Sequence, residues 1–466
     1  MEPDLVTLSL TAAIEQLHQG EYSSLELTEA CLNQIARLNP EINAFITLTP
    51  EMAVQQAMQA DVLLASRASN LGELSLLGLP IAIKDLYDLV GVKTTAGSKF
   101  FNDSLPAEDA QAVLKLKLAG AVIVGKTNTH EVALGVTGVN PHYGTVKNPW
   151  NQACISGGSS SGSAAAVASG MCLAALGTDT GGSIRIPAAL CGVVGLKPTY
   201  GRVSARGVVP LSWNLDTIGP LARSVRDAAR MLGVLAGFDP HDPASVNIPP
   251  DDYNLHIDAG VKDWRVALAA GEYVEGCAAE VLEALGEAAQ VFRELGARVE
   301  KMDLSWLEDL AKANGRMTQA DGAAFHRERL QEHPDWFGAD VYQRLQNGAA
   351  LPCSDYVLAR RTQAEGRRRF EMFFDKYDLL LIPTTPIPAP AISGTGAIEA
   401  AAMLTRFTAP FNLTGLPALT LPCGFTRAGL PLGLQIVSKH WAEAKVLQAG
   451  FAFEQATEWH TRHPSI

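Results

Sequence analysis

The chain has 466 residues, 47% apolar and 18% charged, with a formal net charge of −12. That composition belongs to a globular protein and excludes a disordered one. The acidic balance argues against the broad basic surface that a nucleic-acid or anionic-membrane partner requires. The N-terminal MEPDLVTLSL carries acids where a signal peptide needs a basic segment, and no run of about 18 apolar residues marks a membrane span. The seven cysteines are scattered and form no CxxC pair, which predicts reduced thiols in a cytoplasmic setting. The histidines show no ligand spacing and HExxH is missing, so no metal site is expected.

In chain order, the first seventy residues read as helical. Ser23 and Glu26 have capping-box spacing and open an apolar periodic run through Leu27, Cys31 and Ile35. Near residue 71 the pattern changes. Pro80–Ile83 reads as a short buried strand, 109–119 as a helix ended by Gly120, and Ala121–Val124 as the next strand. Further strands are expected at Leu173–Leu176, Val266–Leu268, Leu379–Ile382 and Leu419–Pro422. Helices are expected near 224–236, 278–295 and 442–457. Short apolar strands alternating with amphipathic helices predict an α/β sheet covered on both faces. The proline- and aspartate-rich stretch 238–263 reads as a surface excursion within one domain, and Arg367–Arg369 as a solvated helix face.

Two knots of small residues stand out: SGGSSSGS at 156–163, and Thr178-Asp179-Thr180-Gly181-Gly182-Ser183. A flexible linker fits poorly, because the first knot runs straight into Ala164–Ala168, a strong helix former. A phosphate loop needs a lysine where Ser163 stands. A nucleophile elbow centred on Ser160 satisfies G-x-S-x-G but lacks a strong preceding strand. Taken together, the knots suit a different arrangement. Successive N–H groups in a Gly-rich turn can converge on an oxyanion, with a serine closing that turn and a lysine kept neutral by burial as its base. Lys84, at the end of an apolar run, is a candidate for that lysine; a strand-end pair with Asp85 is the other reading.

At this point the motifs resemble the amidase signature family. The segments are GGSSSGSAAAVASG, GTDTGGSIRIPAALCGVVGLKPTYGRVS, LPIAIKDLYDLVGVKTTAGS, GKTNTHEVALGVTGVNPHYGTVKNPWN, LDTIGPLARSVRDAA and GLPALTLPCGF with LPLGLQIV. They occur in the family's order, from about residue 7 to 462. The resemblance implies an α/β fold with a central twisted mixed sheet covered by helices on both faces. It also implies a Ser-cisSer-Lys triad: Lys84 as base, Ser159 after a cis peptide as relay, and Ser183 as nucleophile. The backbone N–H groups of Thr180, Gly181, Gly182 and Ser183 would form the oxyanion hole. Ser161 stands where the family usually has glycine. Asp179 and Arg185 are expected to pair and hold the nucleophile loop. No cofactor is implied.

Within the family, A subunits of glutamine-dependent tRNA amidotransferases carry a stretch like SSNLARYDG. Here 317–348 reads MTQADGAAFHRERLQEHPDWFGADVYQRLQNG, which looks like stand-alone amidases, as does LTRFTAPFNLTGLPAL at 404–419. The expectation is a free-standing amidase for aryl or alkyl amides, with side activity on anilides, esters and carbamates; the alternative is the A chain of an amidotransferase. Leu134, Gly135, Val136, Trp213 and Phe411 are candidate pocket residues. The expected partners are a small-molecule amide, with no nucleic acid and no membrane, and the expected state is a monomer or homodimer.

Overall fold

The computed structural model describes residues 5–66, 74–393 and 401–466. The expected change of pattern near residue 71 lies outside them. The first segment is helical, as the sequence predicts, except for β1 (Phe45–Leu48). The capping box forms as read, with the Ser23 side chain accepting from the Glu26 N–H and the Glu26 carboxylate accepting from the Ser23 N–H.

The remaining strands are β2 (Pro80–Lys84), β3 (Val122–Thr127), β4 (Lys147–Asn148), β5 (Asn151–Ile155), β6 (Ala174–Asp179), β7 (Val194–Lys197), β8 (Thr217–Ala222), β9 (Arg265–Ala270), β10 (Arg298–Asp303), β11 (Leu379–Pro383), β12 (Ala418–Phe425) and β13 (Pro431–Val437). All but β4 and β5 join one 11-stranded sheet in the order β1-β3-β2-β6-β8-β7-β12-β13-β11-β9-β10. Strands β3, β2 and β6 run parallel, as do β11, β9 and β10, while the middle of the sheet is antiparallel. The fold is therefore mixed α/β, with apolar clusters packed against the sheet.

The six strands expected from apolar runs all form, lengthened by a residue or more. Five of the sheet strands were not foreseen: β1, β7, β8, β10 and β13. β8 contains Gly219-Pro220 and β13 begins at Pro431, residues that read as strand breakers. β10 has the burial pattern of a largely exposed edge strand, so its apolar signal is thin. The 238–263 stretch contains turns but no helix or strand. Arg368 lies exposed on the Cys353–Phe374 helix, paired with Glu371. Among the described residues, no helix is long and apolar enough to cross a membrane.

The parallel pairing of β2 with β6, in the register Ile81↔Ala174 to Ile83↔Leu176, brings their C-terminal ends side by side. Lys84 ends one and Asp179 the other. The carboxyl ends of parallel strands are where open α/β sheets place their ligands.

Candidate active site

The first knot enters the Ser161–Ala168 helix, whose eight residues are all buried. Only small side chains fit there: a Cβ on Gly162 would collide with the backbone of Ala44 and Asn128. Ser163 Oγ donates to Leu176 O at 2.8 Å, fastening the helix to β6. Just before the helix, the Gly158–Ser159 peptide is cis. Ser159 O accepts from Thr129 Oγ1 at 2.9 Å and from the His130 N–H at 3.2 Å.

Lys84 is buried, and its Nζ donates to Ser159 Oγ at 2.7 Å and to Thr178 Oγ1 at 2.8 Å. Its strand-end neighbour Asp85 pairs instead with Lys126 at 2.7 Å, so the Lys84–Asp85 pair is not formed. Burial pulls the Lys84 pKa from 10.5 down to about 7, against the opposing charges of Asp216 and Asp179. A lysine in that range can hold or release a proton near neutral pH.

The second knot is joined to the first through Ser160. Its N–H donates to Ser183 O at 3.1 Å, and its Oγ exchanges hydrogen bonds with the backbone of Thr178. Ser160, the centre of the elbow pattern, is thus tied up in structure. Around Ser183 the four carbonyls are all engaged. Thr180 O accepts from Asn314 Nδ2 at 3.1 Å, Gly181 O from Thr408 Oγ1 at 2.6 Å, Gly182 O from the Ile186 N–H at 2.7 Å, and Ser183 O from Ser160. Among the described residues, no acceptor takes the N–H of Gly181, Gly182 or Ser183. Gly182 has φ 137°, and a Cβ there would run into the Thr408 side chain; the turn requires glycine.

Asp179 and Arg185 pair as the residues suggest. The guanidinium reaches both carboxylate oxygens, at 2.9 and 3.0 Å, and its other donors go to Thr408 O, Gln435 and Asn412. Burial alone would raise the Asp179 carboxyl, but Arg185, together with Lys197 and the Asn412 hydrogen bond, holds the group well below the usual carboxylate range. The Asp179 carboxylate also accepts the N–H groups of Ile184 and Arg185, which fixes the residues after Ser183.

A cavity of about 190 Å³ opens over Ser183. Leu134, Gly135 and Val136 line it, together with Thr180, Gly181 and Leu211. Gly135 passes so close to the His130 ring that any side chain there would clash. Neither Trp213 nor Phe411 lines this cavity. Phe411 is fully buried in an apolar cluster, 5.7 Å from the Phe370 ring, because the short Ala409–Thr414 helix is buried along its whole length. Trp213 is 54% exposed and borders a separate hollow. Sequence reasoning did not single out Asn314, Thr408 and Arg344. Among the described residues, Arg344 is the one charged residue lining the cavity, and it lies within the 317–348 stretch that departs from the SSNLARYDG pattern. Thr178, next to Asp179 in the second knot, was missed as a partner of Lys84.

The amidase family model matches residues 26–447. The A chain of a glutamyl-tRNA(Gln) amidotransferase from Geobacter sp. (strain M21) is 38% identical over 98% of this chain and 99% of its own length. The protein of the same name from Geobacter metallireducens is 40% identical over 99% of this chain and all of its own length. Among solved structures, an inhibitor-bound vestigial complex bearing on the origins of an s-triazine catabolic enzyme has 34% identity and TM-score 0.91, covering 96% of this chain and 98% of that one. A bacterial aryl acylamidase has 27% identity and TM-score 0.88, covering 97% of each.

These relatives correct the partner set expected from composition. Several full-length relatives are named as subunits of an enzyme of glutamyl-tRNA(Gln). That overturns an expectation of small-molecule partners alone, no nucleic acid and a monomer or homodimer. The physical reason is that net charge averages over one chain, whereas the field met by a nucleic acid is that of the whole assembly and its local patches.

Proposed function

The chain belongs to the amidase signature family of hydrolases acting on C–N bonds, and from that premise we propose that it cleaves a compact, acid-bearing amide through an acyl-enzyme on Ser183. In this reading neutral Lys84 takes a proton from Ser159, which takes one from Ser183 as its Oγ attacks the amide carbon. The N–H groups of Gly181, Gly182 and Ser183, with Thr180 beside them, receive the oxyanion. The proton returns through Ser159 to the leaving nitrogen, the C–N bond breaks, and water hydrolyses the acyl-serine. The 2.7 Å contact between Lys84 Nζ and Ser159 Oγ carries this reading.

The acyl donor follows from the cavity. Its volume of about 190 Å³ is below the roughly 300–1,000 Å³ of sites for drug-sized ligands. Arg344 offers a charge-assisted site for a carboxylate. Glutamine is compact and carries an α-carboxylate, and the names of the curated relatives favour the reading as an amidotransferase A chain. A second reading, a stand-alone hydrolase of neutral aryl or alkyl amides with activity on anilides, esters and carbamates, is favoured by the apolar wall of Leu134, Val136 and Leu211 and by the aryl acylamidase likeness.

The test is a substrate panel of glutamine, p-nitroanilides, aliphatic amides and aryl carbamates, run with and without the other chains of an amidotransferase. Glutamine turnover that depends on those chains supports the first reading, and turnover of neutral amides by the chain alone supports the second. Ser183→Ala abolishes the acyl-enzyme seen by intact-mass spectrometry in either case; full turnover by that variant rules out both.

A further inference from the structure

Behind the wall of the catalytic cavity lies a second hollow of about 460 Å³, bordered by Arg206, Val208, Trp213, Asp216, Ile218 and His241. Asp216 lies between the two spaces. One of its carboxylate oxygens accepts from Thr180 Oγ1 at 2.6 Å, at the start of the nucleophile turn. The other accepts the N–H groups of Leu211 at 2.8 Å and Ser212 at 3.0 Å. Leu211 lines the catalytic cavity and Thr180 borders Ser183's turn. One side chain therefore ties the second knot to the loop that walls the pocket. Asp216 is also the largest charge acting on Lys84.

Resting on the proposed roles of Ser183 and Lys84, we infer that Asp216 is a positioning residue of the acyl-transfer site, fixing Thr180 and the Leu211 wall while setting the charge that Lys84 faces. The two duties are separable. The hydrogen bonds hold geometry, and placement errors of about 1 Å cost on the order of 100-fold in rate. The charge favours protonated Lys84, so its removal favours the neutral base. The titratable and charged groups facing Asp216 are Lys84 at the end of β2, Tyr87 just beyond it, and Tyr200 after β7. Arg206, His241 and Asp242 face it around the hollow. Burial raises the Asp216 carboxyl to about 6, with the Thr180, Leu211 and Ser212 hydrogen bonds and Lys84 opposing.

Two substitutions test the two duties. Asp216→Asn keeps an acceptor for both N–H groups and removes the charge; the acid limb of kcat/KM is expected to move to lower pH by about half a unit or more. Asp216→Ala removes the hydrogen bonds, and kcat on the pH plateau is expected to fall about 10- to 100-fold with KM changed less than about threefold. His241→Gln is the control, a change at another polar residue of the same hollow; it leaves the limb where it is. A limb unmoved in Asp216→Asn, a wild-type kcat in Asp216→Ala, or a limb that moves equally in His241→Gln overturns the inference. Melting temperatures identify a variant that fails to fold, and if Asp216→Ala does, the Asn variant decides. A sulfonyl fluoride, with the labelled residue located by mass spectrometry, separates this inference from its premise. No label on Ser183 of the unaltered protein defeats the premise and the inference together. A labelled Ser183 with wild-type behaviour in both Asp216 variants defeats the inference alone.

Discussion

Two regions meet over Ser183, and they are built differently. Below it lie the ends of β2 and β6 and the two knots, where Lys84, Ser159, Asp179 and Arg185 are buried and joined by the Lys84–Ser159 and Arg185–Asp179 hydrogen bonds. Above it lie the Leu307–Phe325 and Ala339–Ala349 helices and the 403–414 segment, which contribute Asn314, Arg344 and Thr405 from elements that pack on one another. The lower region is fixed by ladder registers, so its reactive groups have little freedom to be placed elsewhere. The upper region is fixed by helix packing, and its lining residues have more latitude in kind. In the proposed reading, chemistry common to many amides resides in the first, and selection among amides in the second.

The sharpest way to break that division is through the base. Lys84→Ala is expected to lower kcat by about 10²- to 10⁴-fold, the usual worth of a general base, for every substrate alike. In the unaltered protein, kcat/KM should rise with pH through about 7, since burial brings the Lys84 pKa to about 7 and the neutral amine is the reactive form. A flat profile across that range, or a loss confined to one substrate, contradicts the division. Next in size is Gly182→Ala. The added methyl meets Thr408 at a φ that L-residues rarely adopt, so the turn shifts and its N–H groups lose their aim. Misplacing one such donor costs about 10²- to 10³-fold in kcat, with KM little changed; stopped-flow acylation rates check it.

The lower region was also the more legible one. Lys84 closes an apolar run, and both knots are dense in glycine and serine, so residue types made Lys84 a candidate base near a donor-lined turn, with a Lys84–Asp85 pair as the other reading. The triad assignment came from the family resemblance. What the sequence did not disclose is how the pieces are held. Asn314, Thr408 and Asn412 arrive from more than a hundred residues away to take carbonyls of the second knot, and no local pattern announces such contacts. Asp216 was visible inside LDTIGPLARSVRDAA, but its role depends on a loop geometry that spacing does not encode. Strands β7, β8 and β13 went unread because glycine and proline in their sequences outweighed their apolar residues, whereas pairing on both sides overrides that local signal.

The upper region is sharpened by Arg344. If it receives a carboxylate, Arg344→Ala should raise KM for glutamine about 10- to 100-fold, the range of a hydrogen bond to a charged group, and leave neutral amides nearly unchanged. Equal losses on both classes assign Arg344 to architecture instead.

The smallest effects are expected at the two aromatics that sequence reasoning took for pocket wall. They differ from each other, and this makes them a useful pair. Phe411 is fully buried against Phe370, so Phe411→Ala should cost about 3–5 kcal/mol of stability and lower the melting temperature. The molecules that remain folded should keep their KM, since the ring does not reach the cavity. Trp213 is half exposed and borders the second hollow. Trp213→Ala removes little packing, so stability should move by about 0.5 kcal/mol or less and kcat/KM by less than about twofold. A large KM change on Trp213→Ala would mean that substrate extends past Leu211 into the second hollow. The boundary between catalytic and selective regions would then lie at Asp216 rather than at the wall in front of it.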